Sequence, residues 1–312
     1  MVKQFLTIVD AGPLRAVCKE AQLGVEAHLW VDMFTVLPQH LAVWRRCYPR
    51  AVCLTVPPRS VLDASHFALM RGLRSLCIMQ CTVATGSVTA LAHLQGVKEL
   101  DIRNCKAVGG GALTVDDGAV AHLRGVRTLK LGWLNLSGVT GAGWSILTGI
   151  HTLDIYQSTV SVDAETLFSC LRGVKELDVG CCRGADGNNL SISDTDMVHL
   201  AGVQKLHVGK CRLGSDAETL FSHLRGVKEL GMSRCKDSTG QYIAITDAAL
   251  AHLQGIHKLD LRGCDLTLVT ATGLSHLVGI RGLYLSQDER YTPHSVHAAL
   301  AELGLDKVVH WW

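Results

Sequence analysis

HLQGVKELDIRNC, residues 93–105, joins a glycine to a short stretch, VKELDI, in which apolar and polar residues alternate as in a half-buried strand. The same stretch returns as CLRGVKELDVGCC (170–182), HLAGVQKLHVGKC (199–211), HLRGVKELGMSRC (223–235) and HLQGIHKLDLRGC (252–264). Variants are MRGLRSLCIMQC (70–81), HLRGVRTLKLGWL (122–134), LTGIHTLDIYQS (147–158) and HLVGIRGLYLSQ (276–287). The marker glycines stand at 72, 96, 125, 149, 173, 202, 226, 255 and 279, spaced by 24 or 29 residues, which makes nine clear units. AVCLTVPP (51–58) and LGLDKVVHWW (303–312) read as degenerate end units.

Between the strands lie segments with helix-start signals. SDAETLFSHL (215–224) spaces Ser215 and Glu218 as a capping box, and ITDAALAHL (245–253) puts Thr246 at the cap position. A strand followed by a helical return of constant length predicts a parallel sheet with the helices behind it. No unit can cover its own leucines, so each must be buried by its neighbours. With about 1.5–3 kcal/mol per buried Leu, Ile or Val, three or four such residues per unit suffice to hold the stack.

The periodicity resembles the leucine-rich repeat and its LxxLxLxxN/C signature. The ninth position is cysteine at Cys81, Cys105, Cys182, Cys211, Cys235 and Cys264, and ISDTD (192–196) and ITDAA (245–249) follow, which resembles the cysteine-containing subtype. The resemblance implies an α/β leucine-rich-repeat solenoid, a horseshoe arc with a parallel β-sheet on the concave face and short helices on the convex face. It spans one repeat domain, 51–312, behind a small helical N-terminal segment, 1–50. The six cysteines and the histidines of the His-Leu pairs (93, 122, 199, 223, 252 and 276) then fill one scaffold position each and are expected to pack rather than react.

Composition agrees. The 312 residues are 48% hydrophobic, include 45 Leu and are only 5% aromatic, so the core is aliphatic. Lys+Arg 30 against Asp+Glu 28 leaves +2, too little for a general nucleic-acid field. No apolar run approaches the roughly 18 residues of a membrane span, and the first residues do not read as a secretory signal. The expected compartment is the cytoplasm or nucleus, with no membrane and no nucleic-acid partner. Among 12 Cys and 15 His there is no C-x-x-C, so neither metal nor other cofactor is expected. GGG at 109–111 lacks the Gly-Lys-Ser/Thr of a phosphate loop, and no G-x-S-x-G or H-E-x-x-H occurs, so no catalytic residues are assigned.

FLTIVDAGPLRAVCKEAQLGVEAHLW (5–30) resembles the second half of an F-box, through Phe5-Leu6, Asp10, Leu14, Val17-Cys18-Lys19 and Leu29-Trp30. The family's opening Leu-Pro helix has no counterpart here. An F-box followed by cysteine-containing repeats is the architecture of F-box/leucine-rich-repeat proteins. That resemblance implies docking on a Skp-type adaptor and cullin through Phe5, Leu6, Leu14, Val17 and Cys18, and a substrate-receptor role in an SCF-type ubiquitin ligase. A plain helical cap on the first repeat is the alternative, and with it a free-standing protein-binding module without a ligase role.

The three longer units carry their extra residues at 107–113, 184–190 and 238–243, which should emerge on one edge. Strand-face positions carry mixed charge, from Glu99, Asp101 and Arg103 through Glu176, Lys205 and Glu229 to Lys258 and Arg262. The candidate protein-binding set is Arg103, Trp133, Asp154, Tyr156, Gln157, Asp178, His207, Asp260 and Tyr284. Trp133 and Tyr156 are its expected anchors, on neighbouring strands, because Trp, Tyr and Arg dominate protein interfaces. Trp311 and Trp312 are expected to seal the last repeat. By itself the chain should be a monomer.

Overall fold

The computed structural model describes residues 23–312 apart from Glu26 and Ser215. The adaptor-docking residues expected at Phe5, Leu6, Leu14, Val17 and Cys18 lie outside this range. The chain forms two compact units, the first ending at Leu147 and the second running from Thr148 to Trp312.

The repeat sequence builds the same ladder in each unit. In the first, strands β1 (Cys53–Thr55), β2 (Ser75–Cys77), β3 (Glu99–Asp101) and β4 (Thr128–Lys130) pair in parallel, with Leu54, Leu76, Leu100 and Leu129 in one row. The second continues with β5 (Thr152–Asp154), β6 (Glu176–Asp178), β7 (Lys205–His207), β8 (Glu229–Gly231), β9 (Lys258–Asp260), β10 (Gly282–Leu285) and β11 (Val309–Trp311). Leu153, Leu177, Leu206, Leu230, Leu259 and Leu283 form its buried row. This is the leucine-rich-repeat fold read from the sequence.

Short helices make the returns, and their starts are set by side-chain caps. Asp163 accepts from the Thr166 amide, Asp216 from Thr219 and Thr246 from Ala249. The cap expected at Ser215 therefore falls one residue later. Asp216, in extended backbone, offers the carboxylate that holds the N3 amide, so Glu218 sits at N2 and closes no box. The helical return of each clear repeat is followed within a few residues by the marker glycine with positive φ, 86° at Gly96 and 84° at Gly226, where a side chain would be strained. The repeated lysine caps that turn across units: Lys98 Nζ donates to Gly125 O at 3.1 Å and Lys228 Nζ to Gly255 O at 3.4 Å.

The cysteines fill the interior as expected and add a hydrogen-bond ladder. Each thiol donates to a main-chain carbonyl of the preceding repeat: Cys105 to Ile78 at 3.0 Å, Cys182 to Ile155 at 2.9 Å and Cys235 to Val208 at 3.1 Å. Cys211 and Cys264 reach Val179 and Met232 at 3.6 and 3.4 Å. Burial pushes the Cys105, Cys182 and Cys235 thiols up to about 12, so they remain protonated. The histidines behave differently from the packing expectation. They are half-buried, and four of them, His93, His122, His199 and His252, meet a polar side chain of the preceding repeat, as Arg71 Nε to His93 Nδ1 at 3.1 Å and Arg172 with His199 at 3.3 Å.

At the amino end, helix Leu41–Cys47 buries Leu41 and Trp44, and Arg45 fastens it to the first repeat through Leu69 O (2.7 Å) and Ala51 O (3.0 Å). Trp30 is buried and bridges to Ala51, so this segment closes the open end of the ladder. At the other end Trp311 stacks on His297 with centroids 4.3 Å apart, as a sealing residue should. Trp312 does not seal: it is 70% exposed, with the Arg262 guanidinium 4.9 Å above its ring. No described helix is long and apolar enough to cross a membrane.

Candidate functional site

Two rows of side chains on the outer face of the second unit's sheet bear on the site. The first reads Glu176, Lys205, Glu229, Lys258, in register on β6 to β9. Signs alternate, so Lys205 Nζ lies 2.9 Å from Glu176 and 4.0 Å from Glu229, and Lys258 Nζ 3.6 Å from Glu229. The second row reads Asp154, Asp178, His207, Gly231, Asp260, Tyr284. Here Gly231 breaks the pattern, because the strand signature ELD has become ELG.

The missing side chain leaves a recess of about 260 Å³ walled by His207, Glu229, Lys258, Asp260, Arg262 and Tyr284. A Cβ on Gly231 would come within 3.1 Å of the His207 ring, so the wall stands directly over the gap. Asp260 grips Arg262 through two bonds, Nε–Oδ1 at 2.9 Å and Nη2–Oδ2 at 2.6 Å. That grip presents the guanidinium over Tyr284, 5.8 Å from the ring centre, and Tyr284 in turn stacks on His310 at 4.7 Å. His207 Nδ1 lies 3.9 Å from Asp178 and its side chain is 54% exposed. The recess thus offers an aromatic wall, a flat cation and rim hydrogen-bonding groups, the features that anchor a partner's side chain.

The structure brings three of the sequence-derived candidates, His207, Asp260 and Tyr284, to this recess and places the others elsewhere. Arg103 is held by Asp101 at 3.0 and 2.7 Å in the first unit, repeating the Asp260–Arg262 clasp. Asp154 accepts from the Tyr156 amide at 3.0 Å and Asp178 from the Gly180 amide at 2.9 Å. Trp133 lies beyond β4 at a turn residue with φ 62°, and is 39% exposed. Its repeat position is that of Gln157, at φ 57° in the second unit, whereas Tyr156 shares the position of Gly132, Gly180 and Arg103. The expected pairing of Trp133 and Tyr156 at adjacent rungs was one residue out of step. Tyr156 also serves the scaffold: its ring would meet a Cβ on Gly180 at 3.2 Å. Its hydroxyl is hydrogen-bonded to Cys181, which together with burial pushes it up to about 12. Gly231 was the signal missed, although an absent side chain in a repeating row is visible in sequence.

The three insertions form hairpins closed by antiparallel bridges, Lys106 with Ala112, Arg183 with Asn189 and Lys236 with Tyr242. Among the described residues no cluster of His, Cys, Asp or Glu could hold a metal ion.

No family model matches the chain. No curated protein matches it either. Solved structures do. A chain of the mouse RP105/MD-1 complex superposes with a TM-score of 0.61 at 16% identity, over 92% of this chain and 47% of that one. A chain of the TLR13–ssRNA13 complex gives 0.52 at 16% identity, over 89% and 46%. An internalin from Listeria monocytogenes gives 0.51 at 16% identity, over 89% and 88%. The chain spans just under half the length of the first two. At this identity the likeness is one of fold.

Proposed function

We propose that this chain is a non-catalytic protein-recognition scaffold whose second unit receives a partner segment on its outer strand face. The observation that carries the reading is the recess at Gly231, where a row of polar and aromatic strand residues, Asp154 to Tyr284, is interrupted by a position with no side chain. The named complexes of structures with this fold, with MD-1 and with a single-stranded RNA, support a binding role, and the small net charge of +2 favours protein over nucleic acid. Gly231→Asp installs the side chain that Asp154, Asp178 and Asp260 carry at this position and fills the gap. Affinity capture from cell extract, quantified by mass spectrometry, should find a protein retained by the wild-type chain and reduced at least about tenfold by the variant, roughly the weight of one hot-spot residue. Identical capture profiles for the two chains would end this reading.

A finer role, substrate receptor of an SCF-type ubiquitin ligase, rests on the F-box-like residues Phe5, Leu6, Leu14, Val17 and Cys18. If it holds, a Skp-type adaptor and cullin co-purify with the full chain and are lost on deletion of residues 1–50. If they never co-purify, the alternative stands, a free-standing recognition module whose helix Leu41–Cys47 simply caps the ladder. The protonated, buried ladder thiols suit a reducing compartment, and we place the chain in the cytoplasm or nucleus on that ground.

A further inference from the structure

On the strand face of the second unit Lys205, Lys258 and Arg262 each meet a carboxylate. The turn edge of the same unit does not follow that rule. Lys210 and Arg234 take the positive-φ turn position of successive repeats, at 62° and 55°. Arg212 and Lys236, two residues further on, are partners in a parallel bridge, and Arg183 holds the position of Arg212 one repeat earlier. All five are exposed, and none has an ion-pair partner among the described residues. The acids of the adjoining hairpins are engaged locally. Asp186 accepts from the Asn188 amide and Nδ2 at 2.9 and 2.7 Å, and Asp237 from Thr239 and Gln241 at 2.7–2.9 Å. Like charges on neighbouring strands about 4.8 Å apart cost the fold stability, and the described residues offset them only in part, through the attraction of Asp186 for Arg212 and the Tyr242 ring beneath Lys236 at 5.5 Å.

We propose that this edge docks an acidic, Asp/Glu-rich segment of a protein partner in extended form. This rests on the recognition reading above and adds a contact outside the Gly231 recess. An extended chain turns alternate side chains, about 6.6–6.8 Å apart, to one side, so a run of Asp or Glu can meet more than one of Lys210, Arg212, Arg234 and Lys236 without folding. A polynucleotide fits less well, because the nearby aromatic Tyr242 is edge-on to Tyr291 at 5.0 Å and covered by Lys236 at 5.5 Å, which leaves no open ring for a base.

The test uses the full chain and three fluorescent probes: a peptide of alternating Glu and Ser, its Gln counterpart, and a single-stranded RNA of the same length. The Glu peptide should bind, the Gln peptide should not, and raising salt from about 50 to about 200 mM should weaken the binding severalfold. The quadruple variant Lys210→Gln, Arg212→Gln, Arg234→Gln, Lys236→Gln should lower affinity at least about tenfold, with the circular-dichroism melt checking its fold. Should it not fold, the pairs Lys210→Gln/Arg234→Gln and Arg212→Gln/Lys236→Gln should each show part of the loss. Gly231→Asp should leave peptide binding unchanged, which separates the two sites. Undiminished binding by the variants, no binding of the Glu peptide by the wild type, or tighter binding of the RNA would each overturn the proposal, and none of them bears on capture through the recess.

Discussion

In the four middle repeats of the second unit the ladder cysteine and the charged residue that opens the strand recur with the same period, yet they are held in different ways. Cys182, Cys211, Cys235 and Cys264 are fully buried and give their thiols to carbonyls of the preceding repeat. Glu176, Lys205, Glu229 and Lys258 are half-buried or exposed and pair chiefly with one another, Thr152 adding a hydrogen bond to Glu176. The interior ladder tolerates one residue size and one protonation state, whereas the exterior row needs only alternating sign. Repetition therefore marks scaffold in both places, and function is to be sought where a row is interrupted, as at Gly231, or unopposed, as along Lys210, Arg212, Arg234 and Lys236.

The sharpest way to break this comparison is to overfill the interior. Cys211→Leu should lower the unfolding free energy by about 1–3 kcal/mol, because a fully packed site has no room for the added methyl groups. A urea midpoint unchanged from wild type would show the ladder to be loosely packed. Native thiols should resist alkylation that denatured ones accept.

Alkali offers a second test of the same ladder. Thiols at about 12 in the folded chain and near their ordinary 9 when unfolded stabilise the fold fully below pH 9. That contribution is lost as pH rises from 9 towards 12, because the unfolded state alone ionises, with a slope of at most about 1.4 kcal/mol per pH unit for each thiol. Cys182→Ser keeps a donor for Ile155 O but removes the titration. Urea midpoints between pH 8 and 10 should fall less steeply for this variant than for wild type, and parallel slopes would deny the cysteines a role in it.

The exterior row should respond more weakly. Lys205→Glu places three carboxylates in register, yet the side chains are 40%, 44% and 25% exposed and screened by salt. A cost of about 0.2–1 kcal/mol, shrinking in high salt, is expected. A loss comparable to that of Cys211→Leu would mean the row is structural after all.

How much of this was legible beforehand follows from what repetition can report. The strand rows and the returning helices were readable because each is imposed nine times by the same local pattern, and the buried cysteines because theirs recurs six times; Leu100, Leu177 or Leu230 had no other place to go. Side-chain caps were readable only approximately: Ser215 lies outside the described residues, and the helix is capped by Asp216, which the spacing alone does not single out. The site was the least readable part. Tyr284, Asp260 and His207 were found as charged or aromatic strand residues, but what unites them is a residue with no side chain, Gly231, and composition gives no weight to an absence. The misalignment of Trp133 with Tyr156 arose because the turn position and the strand position are neighbours in sequence but face different ways in the structure.

Trp133 gives the smallest expected effect and the finest test. It occupies a left-handed turn position that glycine or asparagine adopts most easily, and in the preceding repeat that position is Asn104, at φ 55°. A tryptophan there strains the backbone by roughly 1 kcal/mol. Its half-exposed ring also covers some apolar surface, which acts in the opposite direction and by a similar amount. Trp133→Asn should therefore leave the thermal midpoint within about 1 °C of wild type, the equivalent of about 0.7 kcal/mol for a chain of this size. If the strained ring is kept for a partner, the same variant weakens binding of any captured protein by about 2 kcal/mol while the fold is unaltered. A large fall in the midpoint would instead place Trp133 with Tyr156, as a ring that covers the scaffold, and would leave the Gly231 recess and the basic turn edge as the surfaces through which the second unit meets its partners.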